Sequence, residues 1–185
     1  MKRNKLLIAG ILGLITTINT YAAEPAAPAA PAAATETPVF MSAEWAKAAC
    51  DAWNQDPVLT DKLKKSGWVD NHGDKTYKVM QIYREGCATS PRVEMHVADQ
   101  GGKAMCIYGG PAKTTDLNKK TDYLMWATDD HWQRMGDGRD GPMKAMMFGR
   151  LNFKGPKMEA MGNMGPFANF LRLTGKVASD RSKCP

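Results

Sequence analysis

The sequence predicts an α+β fold, one five-stranded and mainly antiparallel sheet covered by helices. Three observations carry that prediction. Residues 92–108 hold two strand patterns joined by a glycine turn, and capped apolar-periodic segments stand before, between and after the strand patterns. The chain of 185 residues is 43% hydrophobic and 24% charged, the composition of one domain that buries a core. Disordered and polytopic membrane classes are thereby excluded.

Lys2-Arg3-Asn4-Lys5, the apolar run Leu6 to Ile18 and the small-residue stretch Thr20-Tyr21-Ala22-Ala23 read as a secretory signal over 1–22, with an uncleaved anchor as the alternative. Residues 23–38 repeat proline with alanine and form a linker, so the folded domain is 39–185. The formal charge is +6, and losing Lys2, Arg3 and Lys5 with the signal leaves +3. A nucleic-acid partner therefore has little support.

Within the domain, Ser42 caps a helix running to Trp53, and a second short helix starts at Pro57 and stops before Gly67. Thr76 to Tyr83 is a strand pattern. Arg92 to Val97 alternates apolar with polar residues, and Asp99-Gln100-Gly101-Gly102 turns it into Lys103 to Tyr108. Tyr123 to Ala127 is apolar on both faces and reads as an internal strand; Leu151 and Phe153 mark one more. Thr128-Asp129-Asp130 opens a helix containing Trp132 and Met135. Helices from Pro142 to Phe148 and at the C-terminus, ending at Gly175, complete the set.

Four cysteines, Cys50, Cys87, Cys106 and Cys184, in an exported chain imply two disulfides with three possible connectivities. Cys87–Cys106 with Cys50–Cys184 is the favoured arrangement, because the first pair would join neighbouring strand ends. No CxxC spacing supports a zinc or redox site. His72 falls in a turn, His96 on the polar face of a strand and His131 in the first turn of a helix, and none has metal-ligand spacing. Gly136 to Gly141 reads as a solvated loop, since it lacks the ligand order of a calcium loop.

The methionines, 13 in all, are the better lead. Met143, Met146 and Met147 stand at i, i+3 and i+4, and Met158, Met161 and Met164 at steps of three, so each group stripes one helix face. Core packing, an adaptable apolar ligand pocket and Cu(I) binding are the readings open to such stripes. Phe167, Phe170 and Leu171 continue an apolar face after Gly165-Pro166 interrupts the helix.

Asp122, Thr128, Trp132, Met135, Gly138, Pro142, Ala145, Gly149, Arg150, Leu151, Phe153 and Gly155 stand without gaps at spacings that resemble the sterol carrier protein type 2 family. Gly162-Asn163-Met164-Gly165 also resembles a stretch of that family, displaced by an extra segment, Pro156 to Met161. The resemblance spans roughly residues 42–178. It implies a sheet covered by helices on one side, an apolar tunnel, and binding and transfer of sterols or fatty acyl lipids without cofactor or covalent chemistry. By position, Trp126, the helix bearing Met143, Met146, Met147 and Phe148, and the Phe167/Phe170/Leu171 face would border that tunnel, with Met158, Met161 and Met164 beside it. The familiar members are intracellular, so the signal and cysteines set this chain apart and make acyl-CoA a poor candidate. The expected function is a periplasmic or secreted, non-enzymatic lipid carrier that meets a membrane surface. A Met-rich Cu(I)-handling protein and an interaction domain with a filled pocket are the alternatives; the oligomeric state stays open.

Overall fold

The computed structural model describes residues 36–87 and 91–185. The expected signal, and the linker up to residue 35, lie outside the described residues.

Helix α1, Ala43–Asn54, begins where the Ser42 hydroxyl accepts a hydrogen bond from the Trp45 amide, and it buries Trp45, Ala46, Ala49, Cys50 and Trp53. Helix α2, Pro57–Lys65, is capped by the Asp56 carboxylate, buries Leu59 and Leu63, and is followed by a short turn at Trp68–Asp70. Five strands follow: β1 Lys78–Glu85, β2 Val93–Gln100, β3 Lys103–Pro111, β4 Tyr123–Thr128 and, further on, β5 Asn152–Lys154. Their spatial order is β3-β2-β1-β4-β5. All neighbours are antiparallel except β1 and β4, which run parallel with Ile82 opposite Met125 and Tyr83 opposite Trp126. The β2–β3 hairpin turns on Gly101 and Gly102, both at positive φ, with the Asp99 carboxylate accepting from the Gly102 amide.

Because side chains alternate along a strand, Met80, Ile82, Met95, Val97, Tyr123 and Met125 form one apolar face, which the helices cover. The opposite face is not open either. Val79, Gln81, Glu94 and His96 are buried, and the Glu94 carboxylate accepts from the amides of Lys113 and Thr114 and from the Thr114 hydroxyl. The segment joining β3 to β4 is thus pinned across that side of the sheet.

Thr128 caps helix α3, Asp129–Gly136, and α4 spans Pro142–Met147. The C-terminal helical region is two helices, α5 Lys157–Gly162 and α6 Met164–Lys176, so Met164 belongs to a different helix from Met158 and Met161. The break falls at Asn163, before Gly165-Pro166, because a proline in the first turn of a helix disturbs no backbone hydrogen bond. α3 and α6 cross at Gly136 and Gly175, where a Cβ on Gly175 would stand 2.7 Å from the Gly136 carbonyl carbon.

The loop between α3 and α4 corrects the solvated reading. Asp140 is buried, and its carboxylate accepts from Arg134 and Arg150, each at 2.7 Å, with the Lys144 ammonium 2.9 Å away. Three cations on α3, α4 and the approach to β5 share one buried acid, an arrangement invisible in the local sequence.

The disulfides are Cys50–Cys106 and Cys87–Cys184, which overturns the favoured Cys87–Cys106 and Cys50–Cys184 pairing. β2 lies between β1 and β3, so the end of β1 and the middle of β3 are not neighbours. Instead α1 lies directly on β3, where Gly109 has no side chain to block the Ala46 carbonyl, and Cys50 reaches Cys106 with Cα atoms 5.3 Å apart. The C-terminal tail returns past β1: Val39 bridges to Asp180, and the Arg84 guanidinium donates to the carbonyls of Arg181 and Lys183. Cys184 is thereby placed beside Cys87. Replacing Cys87 and Cys184 with serine opens a loop with a sequence separation of 97. The expected loss is about 2–5 kcal/mol of unfolding free energy, measured by denaturant titration.

Candidate functional site

Two apolar features meet at α5. The first is interior: Trp53, Leu63, Trp68, Met80, Tyr123, Phe167 and Phe170 line a cavity of about 20 Å³, with Ala160 of α5 also in its wall. That is room for about one water molecule. The second is an open cleft of about 390 Å³ between α4, β5 and α5, lined by Met143, Met146, Met147, Met161, Leu151 and Phe153 with Lys157 at its edge. Phe153 links the cleft to two residues of the cavity wall. Its ring borders the cleft and packs on Tyr123 at 5.2 Å and on Phe167 at 6.1 Å.

The cleft exists because α4 is too short to turn its whole stripe inward. Its buried residues are Pro142 and Ala145, which leaves Met143, Met147 and the adjoining Phe148 exposed, Met147 to 71%. α5 does the same: Ala160 is buried, while Met158 is 80% exposed and Met161 lines the cleft. An apolar cluster this far out in solvent is unusual unless something covers it.

The expected site residues are therefore divided. Met143, Met146, Met147 and Met161 converge on the cleft, with Phe148 and Met158 exposed on the same two elements. Phe167 and Phe170 line the interior cavity, whereas Leu171 is buried in the core away from it and Met164 packs partly buried against the core. Trp126 does not join them. Its neighbours Met125 and Ala127 take the helix-covered face, so by alternation Trp126 stands on the other face, stacked on Tyr83 at 5.7 Å beneath the Lys154 ammonium.

Sequence reasoning missed a polar cluster at the rim of the interior cavity. Lys78 shares the sheet face of Met80 and Ile82, and its side chain is completely buried. Its ammonium donates to the Asn71 carbonyl at 2.8 Å and to the Glu159 carboxylate at 2.6 Å, and lies 4.7 Å from the centre of the Trp68 ring. The same carboxylate accepts from the Tyr123 hydroxyl at 2.7 Å and from the Asn71 side-chain amide at 2.5 Å. Trp68 donates in turn to the Tyr123 oxygen at 2.9 Å. Burial lowers the Lys78 pKa, opposed by Glu159; burial and the neighbouring carboxylate together raise that of Tyr123. The available signal was a lysine in register with Met80 and Ile82, on a face that otherwise reads as core.

The chain matches the SCP-2 sterol transfer family over residues 62–168. It belongs to that family. A crystal structure of sterol carrier protein 2 superposes with a TM-score of 0.50 at 17% identity, covering 75% of this chain and 99% of that one. A possible sterol carrier protein from Thermus thermophilus gives 0.46 at 17% identity over 78% of this chain and 95% of its own. The apo form of sterol carrier protein 2 from Yarrowia lipolytica gives 0.40 at 19% identity over 71% and 93%. No curated protein matches the sequence. The family supports lipid binding and transfer as the general activity. Its spacing pattern maps here onto scaffold: Trp132, Met135, Ala145 and Leu151 are buried, Thr128 is a cap, and Arg150 holds Asp140.

The far face of this SCP-2 domain carries a second polar cluster, Glu94 with His96, whose imidazole is stacked on Tyr77 at 4.1 Å and lies 4.7 Å from Tyr108. Among the described residues no three His, Cys, Asp or Glu side chains are placed to hold a metal. Burial pushes the Glu94 carboxyl up, but His96, Gln81 and the Thr114 amide and hydroxyl outweigh it and hold the pKa at about 2. A carboxyl held below its ordinary value of 4.5 stabilises the fold fully above that pH and progressively less as pH falls towards about 2. Denaturant midpoints should accordingly drop between about pH 5 and about pH 2, and Glu94→Gln should flatten that slope.

Proposed function

We propose that this domain is a non-enzymatic carrier of an apolar lipid, such as a sterol, hopanoid, quinone or fatty acyl lipid, working outside the cytoplasm. The observation that carries the reading is the methionine-lined cleft ending on Phe153, the ring it shares with the apolar interior. Thioether side chains are flexible and polarizable, which suits ligands of variable shape. The interior cavity of about 20 Å³ is far below the roughly 300–1,000 Å³ of ligand pockets, so a lipid enters by displacing α5. Burying its apolar surface returns about 25 cal/mol per Å², against the cost of ordering it.

The exposed Met143, Met147, Phe148 and Met158 stand beside the exposed cations Lys144 and Lys157. That combination suits contact with an anionic membrane surface, where cations meet head groups and apolar side chains enter the acyl boundary. The signal-like N-terminus and the two disulfides support an oxidising, periplasmic or secreted location.

Protein purified from its own host should release a bound lipid on extraction, seen as an added mass in native mass spectrometry, and should take up a fluorescent sterol after delipidation. Failure of both would leave a packed interaction domain. Met143→Glu with Met147→Glu removes the apolar contact and opposes an anionic surface, and should slow transfer between anionic vesicles about tenfold while hardly moving the melting temperature, because both side chains are solvent-exposed. The same thioethers favour a second reading, Cu(I) binding, since four of them border one cleft and are soft ligands. Unchanged Cu(I) affinity after replacing Met143, Met147 and Met161 with leucine would eliminate it.

A further inference from the structure

The Lys78 cluster specifies more than closure. Four groups converge on the Glu159 carboxylate or its partners: the Lys78 ammonium, the Tyr123 hydroxyl, the Asn71 side-chain amide and, through Tyr123, the Trp68 indole. All of them donate. Glu159 carries the negative charge they share, and it sits on α5, a six-residue helix with no side-chain cap at its N-terminus. Trp68 and Tyr123 line the interior cavity as well, so the donor cluster stands at the end of an apolar space continued by Trp53, Met80 and Phe170.

Ala160 of α5 forms part of the wall of that space, so a ligand that enters by displacing α5 also withdraws the adjacent Glu159. Lys78 is left buried without its counter-charge, which is costly. A ligand with a hydroxyl or ester head can satisfy one donor but not the charge. One with a carboxylate replaces Glu159 group for group.

We infer that Lys78, Tyr123 and Asn71 form a carboxylate-binding head site, that Glu159 occupies it as an internal stand-in, and that the carried lipid is a long-chain fatty acid anion. This rests on the carrier reading above and deepens it to a ligand class. The methionine cleft and Phe153 then serve the acyl chain, and the exchange is one carboxylate for another with no covalent step.

Equilibrium dialysis of delipidated protein against oleate and oleyl alcohol tests it. The wild type should bind oleate about tenfold tighter than the alcohol, the discrimination expected of one charge-assisted contact. Glu159→Gln removes the competing charge while keeping an acceptor for Tyr123, and should tighten oleate by about a further tenfold; the alcohol gains too, since no ion pair is broken when it enters, so the preference for oleate is kept. Lys78→Met combined with Glu159→Gln leaves no unpaired charge and should bind both lipids equally; a melting curve checks that it folds. Equal wild-type affinities, or an oleate preference that survives in the double variant, would overturn the inference and leave a carrier of neutral lipid standing. If the double variant does not fold, the wild-type ratio and the Glu159→Gln response decide. Binding of neither lipid, with no lipid on the native protein, would remove the carrier reading and this inference together.

Discussion

A buried ammonium has to be answered. Lys78 lies on the same sheet face as Met80 and Ile82, its side chain sealed from water, and a charge in that position is tolerated only with a partner of opposite sign and further hydrogen bonds. Glu159 supplies the sign, Asn71 supplies a carbonyl, and the rings of Trp68 and Tyr123 flank the charge. That pairing requires α5 to lie over the core. Once it does, Ala160 lines the interior cavity, Met161 lines the cleft with the methionines of α4, and Phe153 is held between cleft and core. The shape of the apolar site follows from one ion pair.

The rest of the domain is tied by interactions of a different kind. α1 is bonded to β3 through Cys50–Cys106, the C-terminal tail to the end of β1 through Cys87–Cys184, and α3 and α6 meet backbone to backbone at two glycines. Asp140 draws three cations together at the start of α4. α5 has no side-chain cap at its N-terminus and one buried side chain, and its Glu159 carboxylate anchors it to the core. Local opening is expected where buried apolar contact is least, and α5, with one buried side chain, is such an element.

Both faces of the sheet carry buried polar groups, and the two clusters are built differently. Glu94 accepts five hydrogen bonds from His96, Gln81, Lys113 and Thr114 and is buried under the β3–β4 segment. It fastens a covering segment. The Lys78 cluster instead opens onto apolar space and depends on a helix with few other attachments.

Much of the scaffold is legible in the sequence because it arises from interactions a few residues apart. Ser42, Asp56 and Thr128 cap the helices that follow them, Gly101 and Gly102 turn the hairpin, and the spacing of Met143, Met146 and Met147 places them together on α4, whereas Met164 falls on a different helix from Met158 and Met161. Family spacing over 122–155 is legible for the same reason, since those positions are caps, core and turn residues. What only the tertiary structure decides is non-local. Cysteine partners depend on β2 standing between β1 and β3; the face of Trp126 depends on strand register; the burial of Asp140 depends on three cations brought from 4 to 10 positions away. Lys78 and Glu159 are 81 residues apart, and no local pattern links them. They meet because the sheet buries one and a short helix can carry the other across it, an outcome set by the free energy of isolating a charge from water.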